Sequence, residues 1–189
     1  MGALLPMTTE KALPTVLVLA SGQGLRFTAS GGVGRKLQAD LLGKGVLERC
    51  LDAVRASGLR FHVEDIGHPG MGDTIAAAVK ATKDAASWLV LPGDLPLITP
   101  QTLIELATLQ TQAQVVVPVF NGQRGHPVRF ASACAEALMG LAGTHGAASV
   151  IKQFESILWP VTDEGCVTDI DSQEDLERAR RALQARSRN

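Results

Sequence analysis

Thr15-Val16-Leu17-Val18-Leu19-Ala20-Ser21-Gly22-Gln23-Gly24-Leu25-Arg26-Phe27 is the stretch whose reading decides the fold. Its first five residues are β-branched or leucine and carry no charge. Such a run reads as a strand buried on both faces, the habit of a central parallel strand. It stops at Ser21-Gly22-Gln23-Gly24, where glycine lets the backbone turn and approach a ligand without a Cβ in the way. Successive N–H groups in such a turn form an anion-binding nest, and Arg26 adds a permanent charge beside it. A second cluster, Gly31-Gly32-Val33-Gly34, ends in Arg35-Lys36. The combination is a cationic loop on the end of a rigid strand, suited to phosphates. Neither common phosphate motif is met, however. Phe27 stands where G-x-G-x-x-G needs its third glycine, and Leu37 follows Lys36 where a P-loop needs Ser or Thr.

Beyond this loop, Val46 to Arg55 has apolar residues at helical spacing, and Gly58 stands where a helix stops. Leu59 to Glu64 alternates like a half-exposed strand. After the break Gly67-His68-Pro69-Gly70-Met71-Gly72, Asp73 reads as the N-cap of an alanine-rich helix over 74–84. Trp88 to Leu91 is a second buried strand, ending in Pro92-Gly93-Asp94-Leu95-Pro96. Thr99 and Pro100 are the N-cap and first residue of a helix reaching about Leu109. Val115 to Val119 is a third buried strand; Asn121-Gly122 turns the chain into a further extended piece, Gly125 to Phe130. The pattern then predicts helices over 131–141 and 147–154 and short strands over 157–161 and 166–170. Ser172 to Asp175 reads as a capping box, with Asp in the usual Glu position, opening a basic C-terminal helix. Alternation of this kind predicts a three-layer α/β/α domain with a mostly parallel sheet, spanning 15–186 after a tail over 1–14.

Composition narrows the function classes. A chain of 189 residues with 46% apolar content and a net charge of −1 is a globular protein, with no support for nucleic acid or membrane as partner. Cys50, Cys134 and Cys166 are odd in number, far apart and without C-x-x-C, which fits buried thiols in a reducing compartment. Residues 1–13 lack the basic start and apolar core of a signal peptide, and no stretch approaches a membrane span, so a cytoplasmic protein is expected.

In parallel sheets ligands gather beyond the carboxyl ends of the strands. Three features belong at such ends: the loop from Ser21 to Lys36, Asp94, and the pair Asp169 and Asp171. Asp94 follows a buried strand between Gly93 and Pro96. It serves either as a turn residue bonding its own backbone or as an oxygen ligand for Mg²⁺, which prefers one or two carboxylates plus waters and phosphates. Asp169 and Asp171 flank Ile170, so an extended backbone turns them to opposite sides. No G-x-S-x-G elbow is present, which gives acyl transfer little support. His62, His68, His126 and His145 lack metal-helix spacing; Gly125 and Pro127 fix the backbone only around His126. A cationic nest with Mg²⁺-type carboxylates suggests a nucleoside triphosphate.

Leu19-Ala20-Ser21-Gly22, Arg26-Phe27 and Lys36 resemble the L-A-[AG]-G-x-x-x-R-[MF]-G…K signature of the MobA-like nucleotidyltransferases. Gly70-Met71-Gly72-Asp73-Thr74 is similar to their G-M-G-x-S, Gly93-Asp94-Leu95-Pro96 to G-D-M-P and Arg124-Gly125-His126-Pro127 to R-G-H-P. Thr168 to Leu176 resembles D-I-D-T-P-E-D-L. The five motifs run in order from about Val16 to Leu176, and the last two resemble molybdenum cofactor cytidylyltransferases in particular. The resemblance implies a Rossmann-like fold and Mg²⁺-dependent transfer from CTP to the phosphate of the molybdenum pterin cofactor, with release of pyrophosphate. Carried over by motif, Leu19, Ala20, Ser21, Gly22, Gly24, Arg26 and Lys36 hold the nucleotide, with Gly72 and Thr74 near its base. Arg26, Lys36 and Asp94 are the catalytic set. Asp94, with Asp169 or Asp171, binds the metal, and Gly125, His126 and Pro127 face the pterin substrate.

The sequence departs from that pattern in three places. The loop between Arg26 and Lys36 is longer. Ser21 replaces the alanine that accompanies cytidine use and the glycine that accompanies guanosine use. One strand–helix unit before Gly70 is missing. Transfer from GTP, a sugar-phosphate substrate, or a non-catalytic carrier delivering the pterin cofactor to a molybdoenzyme are the alternatives.

Overall fold

The computed structural model describes residues 12–22, 25–32 and 34–186. In chain order the elements are β1 (Thr15–Leu19), α1 (Leu25–Ala29), α2 (Val46–Ser57), β2 (Phe61–Glu64), α3 (Met71–Ala81), β3 (Ser87–Pro92) and α4 (Pro100–Thr108). They continue with β4 (Val115–Phe120), β5 (Gln123–Arg124), β6 (Val128–Ala131), α5 (Ala135–Met139), α6 (Ala148–Gln153), β7 (Ser156–Pro160) and α7 (Gln173–Arg186). The strands form one sheet in the order β2-β1-β3-β6-β4-β5, with β7 also paired to β4. β1, β2 and β3 run parallel; β6 is antiparallel to both β3 and β4, so β4 shares their direction, and β7 is parallel to β4. Only β5 and β6 run the other way, which gives the mostly parallel sheet that the alternation predicts.

Period-two burial splits the core into the expected layers. Val16 and Val18 of β1 and Leu89 and Leu91 of β3 pack with Cys50 and Val54 of α2 and Leu103 and Leu106 of α4. Leu17, Leu19, Trp88 and Val90 face the opposite side, against Ile75 and Val79 of α3, Leu138 of α5 and Val150 of α6. A third cluster joins Phe27, Leu41 and Val46 to Leu97, Ile170, and Leu176 and Ala179 of α7. It draws the loop after β1, the turn after β3 and the start of α7 to one end of the sheet.

Several local expectations hold. Gly58 closes α2 in the left-handed conformation. Thr99 caps α4 and accepts from the Thr102 N–H. Ser172 and Asp175 form the reciprocal capping box: the Ser172 N–H donates to Asp175 Oδ2 at 2.7 Å and the Asp175 N–H to Ser172 Oγ at 3.2 Å. All three cysteines are free and buried.

Others need correction. Asp73 is not the N-cap of α3; Gly70 is, and the helix starts at Met71. A Cβ on Gly70 or Gly72 would strike the backbone of residues 142–144 at 2.2 and 2.9 Å, so glycine here lets that loop lie across the helix start. The Gly72 N–H donates to Gly143 O and the Gly143 N–H to Asp73 Oδ2, which occupies groups a conventional cap would serve. Residues 166–170 are not a strand, because Glu164–Cys166 is a 3-10 turn and the Ile170 N–H goes to Asp94 O. The span 131–141 breaks into a 3-10 turn, Ser132–Cys134, and the short α5. No helix among the described residues is long and apolar enough to cross a membrane.

Two buried charges hold elements together. Arg129 on β6 donates to the carbonyls of Leu106 and Leu109, occupying acceptors at the C-terminal end of α4. Asp163 accepts from the Thr99 N–H, the Thr99 and Thr102 hydroxyls and the Gly165 N–H, each at 2.8 Å. It thus ties the start of α4 to the segment leading to the acidic pair. Asp163→Ala leaves those donors buried and unpaired and is expected to cost about 3 kcal/mol. A urea midpoint that does not move would show the carboxylate to be dispensable.

Candidate nucleotide and metal site

β1 ends between two neighbours: Leu19 is in register with Glu64 of β2 and Pro92 of β3. The Ala20 N–H donates to Glu64 O at 2.8 Å and the Gly93 N–H to Leu19 O at 2.9 Å. The glycine turn therefore leaves the sheet between the carboxyl ends of β2 and β3. Ser21 Oγ lies 2.6 Å from Thr74 Oγ1, which donates to Gly70 O at 3.0 Å. With that hydroxyl's only proton committed, Ser21 is the donor to Thr74. A Cβ on Gly22 would meet nothing within 4 Å, so protein packing does not demand glycine there. The space opens into a cavity of about 830 Å³ lined by Ser21, Gly22, Arg35, Gln38, Asp65 and His68 among others, within the roughly 300–1,000 Å³ of ligand pockets.

At the other side of the turn, Lys36 Nζ donates to Asp94 Oδ2 at 2.6 Å and to Asp171 Oδ1 at 3.0 Å. The Lys36 and Asp94 side chains are only 12% and 18% exposed. Burial opposes the ammonium, but Asp94 and then Asp171 outweigh it and hold the Lys36 pKa above its ordinary value. Asp94 Oδ1 is buried with no hydrogen-bond partner, an acceptor that a cation could satisfy. Partial withdrawal from water, with the negative charges of Asp94 and Asp171, raises the Asp169 carboxyl above its usual range. Ile170 is fully buried between the two aspartates, and Asp171 is the one that meets Lys36.

Asp94 and Asp171 offer Mg²⁺ the two carboxylates it favours, the remainder of its shell being waters and phosphates. No cluster of three His, Cys, Asp or Glu among the described residues could hold a metal through protein groups alone. The site thus fits a metal that arrives with a phosphate ligand. Lys36, expected at the nucleotide, here neutralises both carboxylates.

His126 lies near enough to Asp94 to feel its charge. Its N–H donates to Cys166 O at 2.8 Å, and a Cβ on Gly125 would come within 2.4 Å of that same oxygen, so only glycine admits the approach. Burial holds the His126 imidazole below its ordinary range, against the pull of Asp94, and its Nδ1 is buried without a partner. The ring lines a mainly apolar cavity of about 400 Å³ with Leu19, Met71, Ile75, Val90 and Phe130. Leu19 therefore faces the His126 side, whereas Ala20, Ser21 and Gly22 face the larger cavity. Gly72 and Thr74 line neither; Thr74 acts through Ser21 and Gly72 through the loop at residue 143. Gly24 and the side chain of Arg26, both expected at the nucleotide, lie outside the described residues.

One cluster escaped the sequence reading. Glu64, 5% exposed at the end of β2, accepts from His62 Nε2 at 3.2 Å and His68 Nε2 at 3.1 Å. Burial pushes its carboxyl up, but the bonds from His68 and His62 prevail and hold it below the usual carboxylate range. The signal was a glutamate ending a strand beside the nest, with histidines two residues before and four after.

Comparison with known proteins matches residues 53–157 to the MobA-like NTP transferase domain. A curated relative, purine catabolism protein PucB of Bacillus subtilis (strain 168), is 27% identical over 128 residues, covering 65% of this chain. The chain spans 62% of that relative's length. Among solved structures, Rv0371C of Mycobacterium tuberculosis H37Rv in complex with manganese superposes with a TM-score of 0.71 at 18% identity, over 90% of this chain and all of the other. Molybdopterin-guanine dinucleotide biosynthesis protein A of Archaeoglobus fulgidus gives 0.63 at 19% identity, over 90% and 99%. These two likenesses establish the fold.

Lys36→Met should remove the ammonium that bridges Asp94 and Asp171, at a cost of about 2 kcal/mol. Millimolar Mn²⁺ or Mg²⁺ is expected to restore the thermal midpoint of this variant and to raise that of the wild type less, because the ion then has no ammonium to displace. Equal metal-induced shifts in both proteins would separate Lys36 from the metal position.

Proposed function

The chain belongs to the MobA-like NTP transferase family, and on that premise we propose that this nucleotidyltransferase transfers a cytidylyl group from CTP to the phosphate of the molybdenum pterin cofactor. The observation that carries the reading is the convergence of Lys36, Asp94 and Asp171 at the foot of an open glycine turn. The five ordered motifs support the choice of substrates. The similar structures point the same way in part, since one is a manganese complex and the other is named for molybdopterin-guanine dinucleotide biosynthesis.

In this reading the triphosphate lies along the turn from Ser21 to Gly22, where main-chain N–H groups receive its oxygens, with Arg26 and Lys36 beside them. Asp94, with Asp171 or Asp169, would hold Mg²⁺, which supplies charge neutralisation and alignment for the phosphates. The pterin enters from the side of Gly125, His126 and Pro127, over the apolar cavity. An oxygen of its phosphate monoester attacks the α-phosphorus; the bond from that phosphorus to the bridging β-oxygen breaks, and pyrophosphate departs. The attacking group is mostly dianionic at neutral pH, its second pKa being about 6. No general base is required, and the residues contribute by positioning and by preorganised charge.

GTP as donor is the second reading, favoured by the guanine dinucleotide named for the Archaeoglobus neighbour. Pyrophosphate release across four NTPs with the pterin cofactor and Mg²⁺ separates the two. The expected result is release with CTP alone; release with GTP alone would transfer the reading to guanylyl transfer, and binding without release would make the chain a carrier. Asp94→Asn is expected to lower the rate by about 10²-fold or more while the fold persists. An unchanged rate would reject Asp94 as metal ligand.

A further inference from the structure

The cavity of about 830 Å³ is lined by two chemically different sets of residues: Ser21, Gly22 and Arg35 in one, Asp65, Gly67, His68 and Pro69 in the other. Carboxylates repel a triphosphate, so the Asp65 segment suits the uncharged base, whereas the nest and Arg35 suit the phosphates. This orientation rests on the nucleotide reading of the cavity given above. His68 is then the side chain of the Asp65 segment whose ring atoms can make a directional hydrogen bond.

Its tautomer is set by Glu64. The ionised carboxylate only accepts hydrogen bonds, so the ring nitrogen 3.1 Å from Oε1, His68 Nε2, must carry the proton. A neutral imidazole protonated at Nε2 has a bare lone pair on Nδ1. Among the described residues His68 makes no other hydrogen bond. His62 occupies the second oxygen of Glu64 at 3.2 Å, so the carboxylate is held from both sides and the imidazole it orients is fixed. Glu64 in turn is anchored to the glycine turn, its carbonyl accepting from the Ala20 N–H.

We infer that His68 reads the base of the bound nucleotide: its Nδ1 accepts a hydrogen from the exocyclic amino group of cytosine and turns away uracil, which presents a carbonyl at that position. The two pyrimidines have the same size and differ there in donor against acceptor, so the discrimination is one of hydrogen-bond polarity rather than shape. A carbonyl opposite the Nδ1 lone pair sets two acceptors against each other and leaves both unpaired. Glu64 is a positioning residue that acts through His68.

The test is equilibrium binding of CTP and of UTP to the full chain at pH 8 with Mg²⁺, needing no acceptor substrate. The wild type is expected to bind CTP about tenfold or more tighter than UTP. His68→Ala should bring the two affinities together, chiefly by loss of CTP binding. His68→Asn, whose amide oxygen sits near the place of Nδ1 and accepts, should restore the preference. Glu64→Gln can donate its amide hydrogen to Nε2, which moves the imidazole proton to Nδ1. The preference should then fall or reverse towards UTP, an outcome a purely structural role would not give. Because each comparison is made within one protein, a loss of folded fraction leaves the ratio unaffected. Equal affinities in the wild type, or an intact CTP preference in His68→Ala, would overturn the assignment of His68 alone. If neither nucleotide binds the wild type, the nucleotide reading of the cavity fails and takes this inference with it.

Discussion

A single ammonium group held between two carboxylates organises the functional end of this molecule. Lys36 reaches Asp94 across 58 residues of sequence and Asp171 across 135. It sets a positive charge between two carboxylates of which Asp94 is 18% exposed and Asp171 37%, so its attraction is least screened on the Asp94 side. The ammonium thus ties three distant segments to one another at this point. The arrangement also leaves one buried oxygen, Asp94 Oδ1, unanswered. A cation arriving there would gain an interaction that the lysine does not provide.

The packing beneath the site makes this geometry stiff. Ile170 carries no charge, yet it is fully buried between two aspartates and donates its N–H to Asp94 O. Its side chain joins Phe27 and Leu176 in the third apolar cluster, so the loop after β1 and α7 are pressed against the same residue. Asp163 performs the corresponding task one layer away by anchoring the first turn of α4. Hydrophobic burial sets the overall position of these segments, while the directional bonds of Asp163 and Ile170 set their register.

Most of the fold was legible because its signals are local. β1, β3 and β4 announce themselves as uncharged, largely apolar runs, and the caps at Gly58, Thr99 and Ser172 follow from their own neighbours. The errors arise where a distant segment supplies the partner. Asp73 looked like a cap because nothing near it shows that Ala142 to Thr144 would cover the helix start. The piece over 166–170 has strand composition, but Asp94, far away in sequence, takes its central N–H. Of the site, the residue identities were readable and the pairing was not. That Asp171 rather than Asp169 meets Lys36 depends on the backbone path around Ile170. Glu64 was passed over because a charged residue ending an alternating strand ordinarily faces water.

The edge of the sheet explains why a glutamate should be buried there. β2 is the outermost strand on its side and passes directly into α3 through residues 65–70, with no further strand beside it among the described residues. An exposed strand edge must be blunted. His62, Glu64 and His68 place charge and hydrogen bonds at that edge, and His68 also lines the cavity beside the glycine turn. Polar and titratable side chains thus cover the sheet edge beside this cavity. Selectivity there then depends on the protonation pattern of three residues rather than on the shape of a strand.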